Sequence, residues 1–287
     1  MNEKVGDWVE HFFDYWKRNY VEAKNWLREH PDTMHALGQA IEAARLCFVF
    51  IPPPAIVSEQ DLGLTATTTE AMAAANASCA LSFTGIYPQA FHSLRQALEM
   101  SVMCSFFLLD WLGSGRIRQW REGRIHSPRF SECIERISSK KHRAISIGAF
   151  TPTEYRRLYT RLSSWTHLHR AGHDYFFTSE DGHPYFDEDA FQDWAATCIQ
   201  TLKLCIVTLL VTFPSYVLEL PEWKIPDAWV GPWNWTFPKP EHTKLVRESV
   251  SEQLWLKLET LSDDDSTCEN LRDDWRRSRP SSDDVEQ

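Results

Sequence analysis

The sequence is short of glycine, with eleven in 287 residues, and it has no stretch in which apolar and polar residues alternate for the length of a strand. Both shortages argue against turn-dense β structure, which needs glycine at its tight turns and a period of two along its strands. No internal repeat is found. There is no CxxC pair among the seven cysteines, an odd number, so neither a disulfide framework nor the usual paired-cysteine metal sites fit. Most of these cysteines sit among apolar residues and read as reduced thiols filling a core. Long apolar runs are missing as well. The longest, Leu204 to Phe213, is too short to span a bilayer, and Glu3, Lys4, Asp7 and Glu10 interrupt any leader-like start. The expectation is a cytoplasmic protein without a membrane partner.

An excess of positive charge is also absent. The formal net charge is −10, and residues 262–287 supply half of it, with nine acidic against four basic side chains. That end reads as a polar, acidic, disordered tail. Charge as a whole therefore does not point to nucleic acid. The segment 139–146, SKKHRAIS, is locally basic and reads as a solvated loop or a contact to a phosphate backbone.

What the chain does have is rings and helical periodicity. Thirteen tryptophans predict a core built on large side chains. Trp8, Phe12, Trp16, Tyr20 and Trp26 recur near helical spacing over residues 6–29 and read as a core-facing stripe. A second helix, about 32–50, stops at Ile51-Pro52-Pro53-Pro54. Together they predict an N-terminal helical pair, residues 1–54. After a linker, an Ala-rich helix over 67–83, a tight corner at 85–88 and a long helix from Tyr87 to Trp111 follow, with Pro88 in its first turn. Short helical pieces are expected at 116–123 and from Ser127-Pro128 to about 139. Thr151-Pro152-Thr153-Glu154 opens another helix, and Asp187 or Asp189 starts an apolar one running to about 213. Residues 214–261 form the C-terminal part. In it 221–241 hold five prolines and four tryptophans and predict an irregular strap, followed by one helix over 243–261. The predicted fold class is all-α.

Two helices carry the chemistry. On the first, His92, Arg95, Gln96 and Glu99 share one face at offsets of three and four. The same face continues into Met103 and Phe106, so its polar part should be covered in some measure, and a covered charge must be paired. The bland reading is an Arg95–Glu99 ion pair within the helix. The functional one is the polar floor of a site. On the second, Tyr159, Ser163 and His167 follow one another at intervals of four. Arg161 and His167 have five residues between them. A histidine moves protons near neutral pH and an arginine binds phosphate. RNA brings its own 2′-hydroxyl nucleophile, so this pair needs no metal to cleave a phosphodiester. Residues six apart on one unbroken helix point well away from each other, so either the helix breaks there or two copies combine. His169 and His173 also stand four apart, but no Glu occupies the register that a zinc hydrolase needs. No metal or cofactor is expected. Ser163 and His167 lack the glycine elbow of a serine hydrolase.

The block Gly85-Ile-Tyr-Pro-Gln-Ala-Phe-His-Ser-Leu-Arg-Gln-Ala-Leu-Glu99, with Tyr159, Leu162, Ser163 and His167 as Y-x-x-L-S-x-x-x-H, resembles the HEPN superfamily of helical bacterial and archaeal proteins. The resemblance covers about residues 65–213 and implies a HEPN-like helical bundle, flanked by the N-terminal extension and the Trp/Pro-rich strap. It implies a metal-independent endoribonuclease acting as a toxin or anti-phage effector. In that reading Arg161 stabilises the phosphate, His167 is general acid or base, and Arg95, Glu99, Tyr159, Ser163 and His92 support the site. The partners it implies are RNA, a second copy in a homodimer, and an antitoxin or defence-system protein. Active members commonly carry a polar residue after the motif arginine, and here that residue is Leu162. The alternative is a non-catalytic RNA-binding or protein-interaction module in which the same polar residues fix helix packing.

Overall fold

A computed structural model describes residues 2–50, 61–111, 115–138, 151–166, 184–212 and 240–262. Helices hold 87% of these residues and none forms a strand, so the fold is all-α. In chain order the α-helices are α1 Asn2–Glu29, α2 Pro31–Phe50, α3 Asp61–Phe83, α4 Tyr87–Phe106, α5 Arg116–Arg121, α6 Phe130–Ile137, α7 Pro152–Thr166, α8 Glu188–Thr212, α9 Pro240–Ser249 and α10 Glu252–Ser262. The predicted strap (as far as residue 239), the basic segment 139–146 and the acidic tail beyond residue 262 lie outside the described residues.

Helix α4 is the central element. It packs most extensively on α3, then on α8, α7 and α6, while α2 lies along α8 and α9 along α2. The predicted ring-rich core is present. Trp194, Tyr87, Tyr155, Phe91 and Phe107 are among the largest fully buried side chains, and Phe91 stacks on Trp165 with ring centres 4.1 Å apart, joining α4 to α7. Polar links between the helices are specific. Trp194 Nε1 donates to Ser78 Oγ (2.9 Å), which donates to the Ala90 carbonyl (2.8 Å), so one hydroxyl ties α8, α3 and α4 together. Helix α8 is long and apolar enough to cross a membrane by length and composition, but 72% of its most apolar window is buried. That is how the central helix of a helical core also looks.

Four sequence expectations need adjusting. First, the α1 stripe is core-facing only in part: Trp26 is buried, whereas Tyr20 is 50% exposed and only leans its ring on Phe83, 5.8 Å away. The buried face of α1 runs instead through Asn19, Ala23, Trp26 and Leu27, and Tyr20 sits at its edge. Second, α3 begins at Asp61, six residues before the expected start, because one glycine at position 63 is too small a penalty to stop a helix whose later turns are packed. Third, the long helix does not stay α-helical to Trp111: from Phe107 it widens into one π turn. Fourth, the last helix is two. Ser251 interrupts it, accepting the Leu254 amide on its side-chain oxygen (3.2 Å) as the cap of α10.

The corner between α3 and α4 is held by a knot of long-range bonds. Gly85 turns the chain with φ +80°. Asn19 on α1 is fully buried, and its Nδ2 donates to the carbonyls of Thr84 (3.0 Å) and Pro184 (2.9 Å) while its Oδ1 accepts from the Phe186 amide (3.1 Å). The Tyr87 hydroxyl donates to the Asp187 carbonyl and accepts from its amide, each at 3.2 Å. Asp187 then caps α8 by accepting the Ala190 amide on Oδ1 (2.8 Å), so of the two predicted helix starts the structure uses Asp187. Helices α1 and α2 both place buried residues in the same core as α3, α4 and α8.

Candidate functional site

The polar face of α4 grades from wet to dry, as its sequence predicts. His92 is exposed, Arg95, Gln96 and Glu99 are half-buried, and Met103 and Phe106 are buried. Its cover is α7, with α6 alongside. Arg95 Nε donates to Glu99 Oε1 (3.1 Å) across one helical turn. Arg95 Nη2 donates to the Tyr159 hydroxyl (2.7 Å), and that hydroxyl donates to the same Glu99 oxygen (2.8 Å). The three groups close a ring of donors and acceptors between two helices. Phe130, the first residue of α6, stacks on the Tyr159 ring at 4.1 Å and 8°, and Arg95 Cζ lies 4.8 Å from that ring's centre. The two sequence blocks of interest, some sixty residues apart, thus meet here.

Electrostatics within the cluster are matched. Burial, then the hydrogen bond to Glu99 and its charge, push the Tyr159 phenol above its ordinary range, with Arg95 opposing. The phenol therefore stays protonated and keeps donating to the carboxylate. Ser163, one turn further on, donates its hydroxyl to the Tyr159 carbonyl (2.7 Å), a bond within its own helix.

Arg161 is not part of this cluster. Two residues after Tyr159 on α7, it points about 200° around the helix from it, and its guanidinium pairs with the Asp193 carboxylate on α8. Arg95, Glu99 and Tyr159 are brought to one place, Ser163 follows one turn further along α7, His92 stands at the exposed end of the α4 face, and Arg161 faces elsewhere. Leu162 is fully buried among the core side chains. His167, and with it His169, His173 and His183, lies outside the described residues. Among the described residues no group of three or more His, Cys, Asp or Glu is placed to hold a metal.

Two participants escaped the sequence reading. Phe130 and Asp193 are ordinary members of helical patterns, and only the packing of α6 and α8 against α7 gives them these partners. A signal for Phe130 existed, since Ser127-Pro128 announced a helix just ahead of the point where α6 begins, at Phe130, but nothing local said which ring it would meet.

Replacing Tyr159 with phenylalanine should lower stability by about 1–2 kcal/mol, because Arg95 and Glu99 each lose a half-buried partner. Combined with Glu99→Gln the loss should be less than the sum, since both changes break the same bond. Urea unfolding of the two single variants and the double variant checks this; strictly additive losses would show that the ring of bonds carries no coupling.

Comparison with protein-family models, with curated proteins and with solved structures gives no match to this chain.

Proposed function

We propose that the chain is a HEPN-like, RNA-binding module in which Arg95, Glu99 and Tyr159 lock α4 to α7 without taking part in a reaction. The observation that carries this is the closed ring of hydrogen bonds: the guanidinium, the carboxylate and the phenol answer one another, which is what a network that specifies helix packing needs. Two further features support it. Leu162 occupies the core rather than a polar position beside a reacting phosphate, and Arg161 already holds a carboxylate partner in Asp193. The RNA ligand and the homodimer come from the motif resemblance.

A second reading, the metal-independent endoribonuclease acting as a toxin or anti-phage effector, is favoured by one specific feature. The Arg161 side chain is 43% exposed on the side of α7 away from Tyr159, where a second copy could bring its own Arg161 and His167 alongside. RNA phosphate would then replace Asp193 as its partner, and His167 would carry the proton.

The test is incubation of the purified chain and its His167→Ala variant with labelled single-stranded RNA in the presence of a chelator, run on native and denaturing gels. The first reading expects a retarded complex containing intact RNA, the same for both proteins. Fragments with the wild type alone overturn it and establish the nuclease. No complex and no fragments would remove both readings.

A further inference from the structure

Six of the seven cysteines fall among the described residues, and of these six Cys79 alone is partly open to solvent. The buried thiols of Cys104 and Cys205 have hydroxyl groups for hydrogen-bond partners, on Thr67 and Ser101. Cys79 on α3 and Cys198 on α8 have each other: the fully buried Cys198 thiol donates to the Cys79 sulfur. The two stand 119 positions apart in sequence (79 to 198), so only the packing of α3 on α8 brings them together.

That packing is held on either side of Cys79. One residue before it, Ser78 Oγ accepts from Trp194 Nε1 (2.9 Å), and Trp194 stands one turn before Cys198. One turn after it, the Phe83 ring meets those of Phe191 and Trp194, with centres 5.5 and 6.3 Å apart. The thiols therefore face each other across a fixed helix contact, one with a path to solvent and the other without. Accepting the hydrogen bond from Cys198 lowers the Cys79 thiol below its ordinary range, with burial opposing, whereas the same bond and then burial raise Cys198. Burial pushes Cys47, Cys104, Cys133 and Cys205 up to about 12, which keeps them as inert thiols.

We infer that Cys79 and Cys198 are a peroxide-responsive dithiol, in which Cys79 reacts and Cys198 resolves it, closing a disulfide between α3 and α8. The Cys79 thiolate attacks one oxygen of a peroxide. An S–O bond forms, the O–O bond breaks, and the hydroxide that leaves takes up a proton as water. The Cys198 sulfur then attacks the sulfur of the Cys79 sulfenic acid. The S–S bond forms, the S–O bond breaks, and a second water leaves with the Cys198 proton. Two thiols have then given two electrons to one peroxide. In a reducing compartment the pair rests as two thiols and closes only under oxidant. Closure clamps α3 to α8 beside Ser78, the hydroxyl that also ties in α4. This chemistry is independent of what the chain binds.

The experiment treats the reduced full chain with hydrogen peroxide, alkylates the remaining thiols in denaturant, and maps the linked peptides by mass spectrometry without reduction. The expected product joins Cys79 to Cys198 and leaves the other thiols alkylated. Because the bridge closes a long loop, the melting temperature of the oxidised protein should rise by about 10 °C and fall back on adding dithiothreitol. Cys79→Ser should show neither the link nor the rise, with Cys198 still a free thiol. Cys198→Ala should leave Cys79 as a sulfenic acid that dimedone traps, and absence of that adduct would remove Cys79 as the reacting thiol. A link of either residue to Cys47, Cys205 or Cys268 would overturn the pairing. So would Cys79 left unoxidised, or carried to the sulfinic acid while Cys198 stays free. A bridge that leaves the melting temperature unchanged or lower would overturn the clamp.

Discussion

Gly85→Ala should cost about 4–6 kcal/mol of stability, enough to leave a marginal protein largely unfolded. The residue turns the chain at φ +80°, where a side chain costs about 1–2 kcal/mol. A Cβ there would also lie 2.6 Å from the Tyr185 carbonyl oxygen and 2.9 Å from its carbon. Those are backbone atoms, and they cannot move aside cheaply. Asn19 holds residues 184 and 186 on either side, and Tyr87 holds Asp187. Relief of the clash would break two or three of these buried bonds, at about 1 kcal/mol or more each. Gly38→Ala should do the opposite. That glycine lies in mid-helix in α2, and a methyl added there would have nothing within 4 Å, so alanine should add about 0.5–1 kcal/mol by lowering the helix's entropic cost. Urea midpoints of the two variants against wild type give the answer. Equal small losses from both would mean that the corner yields, and that the Asn19 knot is not rigid.

That same knot shows what the sequence could and could not tell. The helices around the site were legible, because apolar spacing and stop signals are local: Pro88 in the first turn of α4, Pro152 opening α7 and the apolar run of α8 all read directly. The spacing of Arg95 and Glu99 gave an ion pair, and the spacing of four put Tyr159 and Ser163 on one face. Asn19 was invisible. It lies among aromatic residues that draw the eye, and its partners are backbone groups 65 to 167 positions away, which no local pattern encodes. Arg161 illustrates the same limit. Its count to His167 is a matter of sequence, whereas its partner Asp193 comes from the packing of α7 against α8. Ser251 could have been found, since a serine before a glutamate is an ordinary helix start, but the apolar period runs through it and hides the break.

Raising the pH from 8 to 10 should remove about 4 kcal/mol of stability through three cysteines alone. Cys47, Cys104 and Cys205 are buried, on α2, α4 and α8. Burial pushes each thiol from an ordinary 9.0 up to about 12, with Cys205 adding to the shift of Cys47 and hydrogen bonds from Thr67 and Ser101 holding back those of Cys104 and Cys205. The folded state thus holds its protons more tightly than the unfolded chain does. Stability is complete below about pH 9, where thiols are protonated in both states, and it falls as pH rises from 9 towards 12, where only the unfolded chain ionises. Each thiol contributes up to about 1.4 kcal/mol per pH unit in that window. The buried phenols of Tyr87 and Tyr155 are also pushed upward, chiefly by burial, and extend the loss above pH 10. Urea unfolding at pH 8, 9 and 10 under a phosphine reductant measures the slope. Cys205→Ala should remove about 1.4 kcal/mol of the loss between pH 8 and pH 10, independently of its effect at pH 8. An unchanged stability between pH 8 and pH 10 would show that these thiols reach solvent, and that the contact of α2 and α4 with α8 opens far more readily than its packing implies.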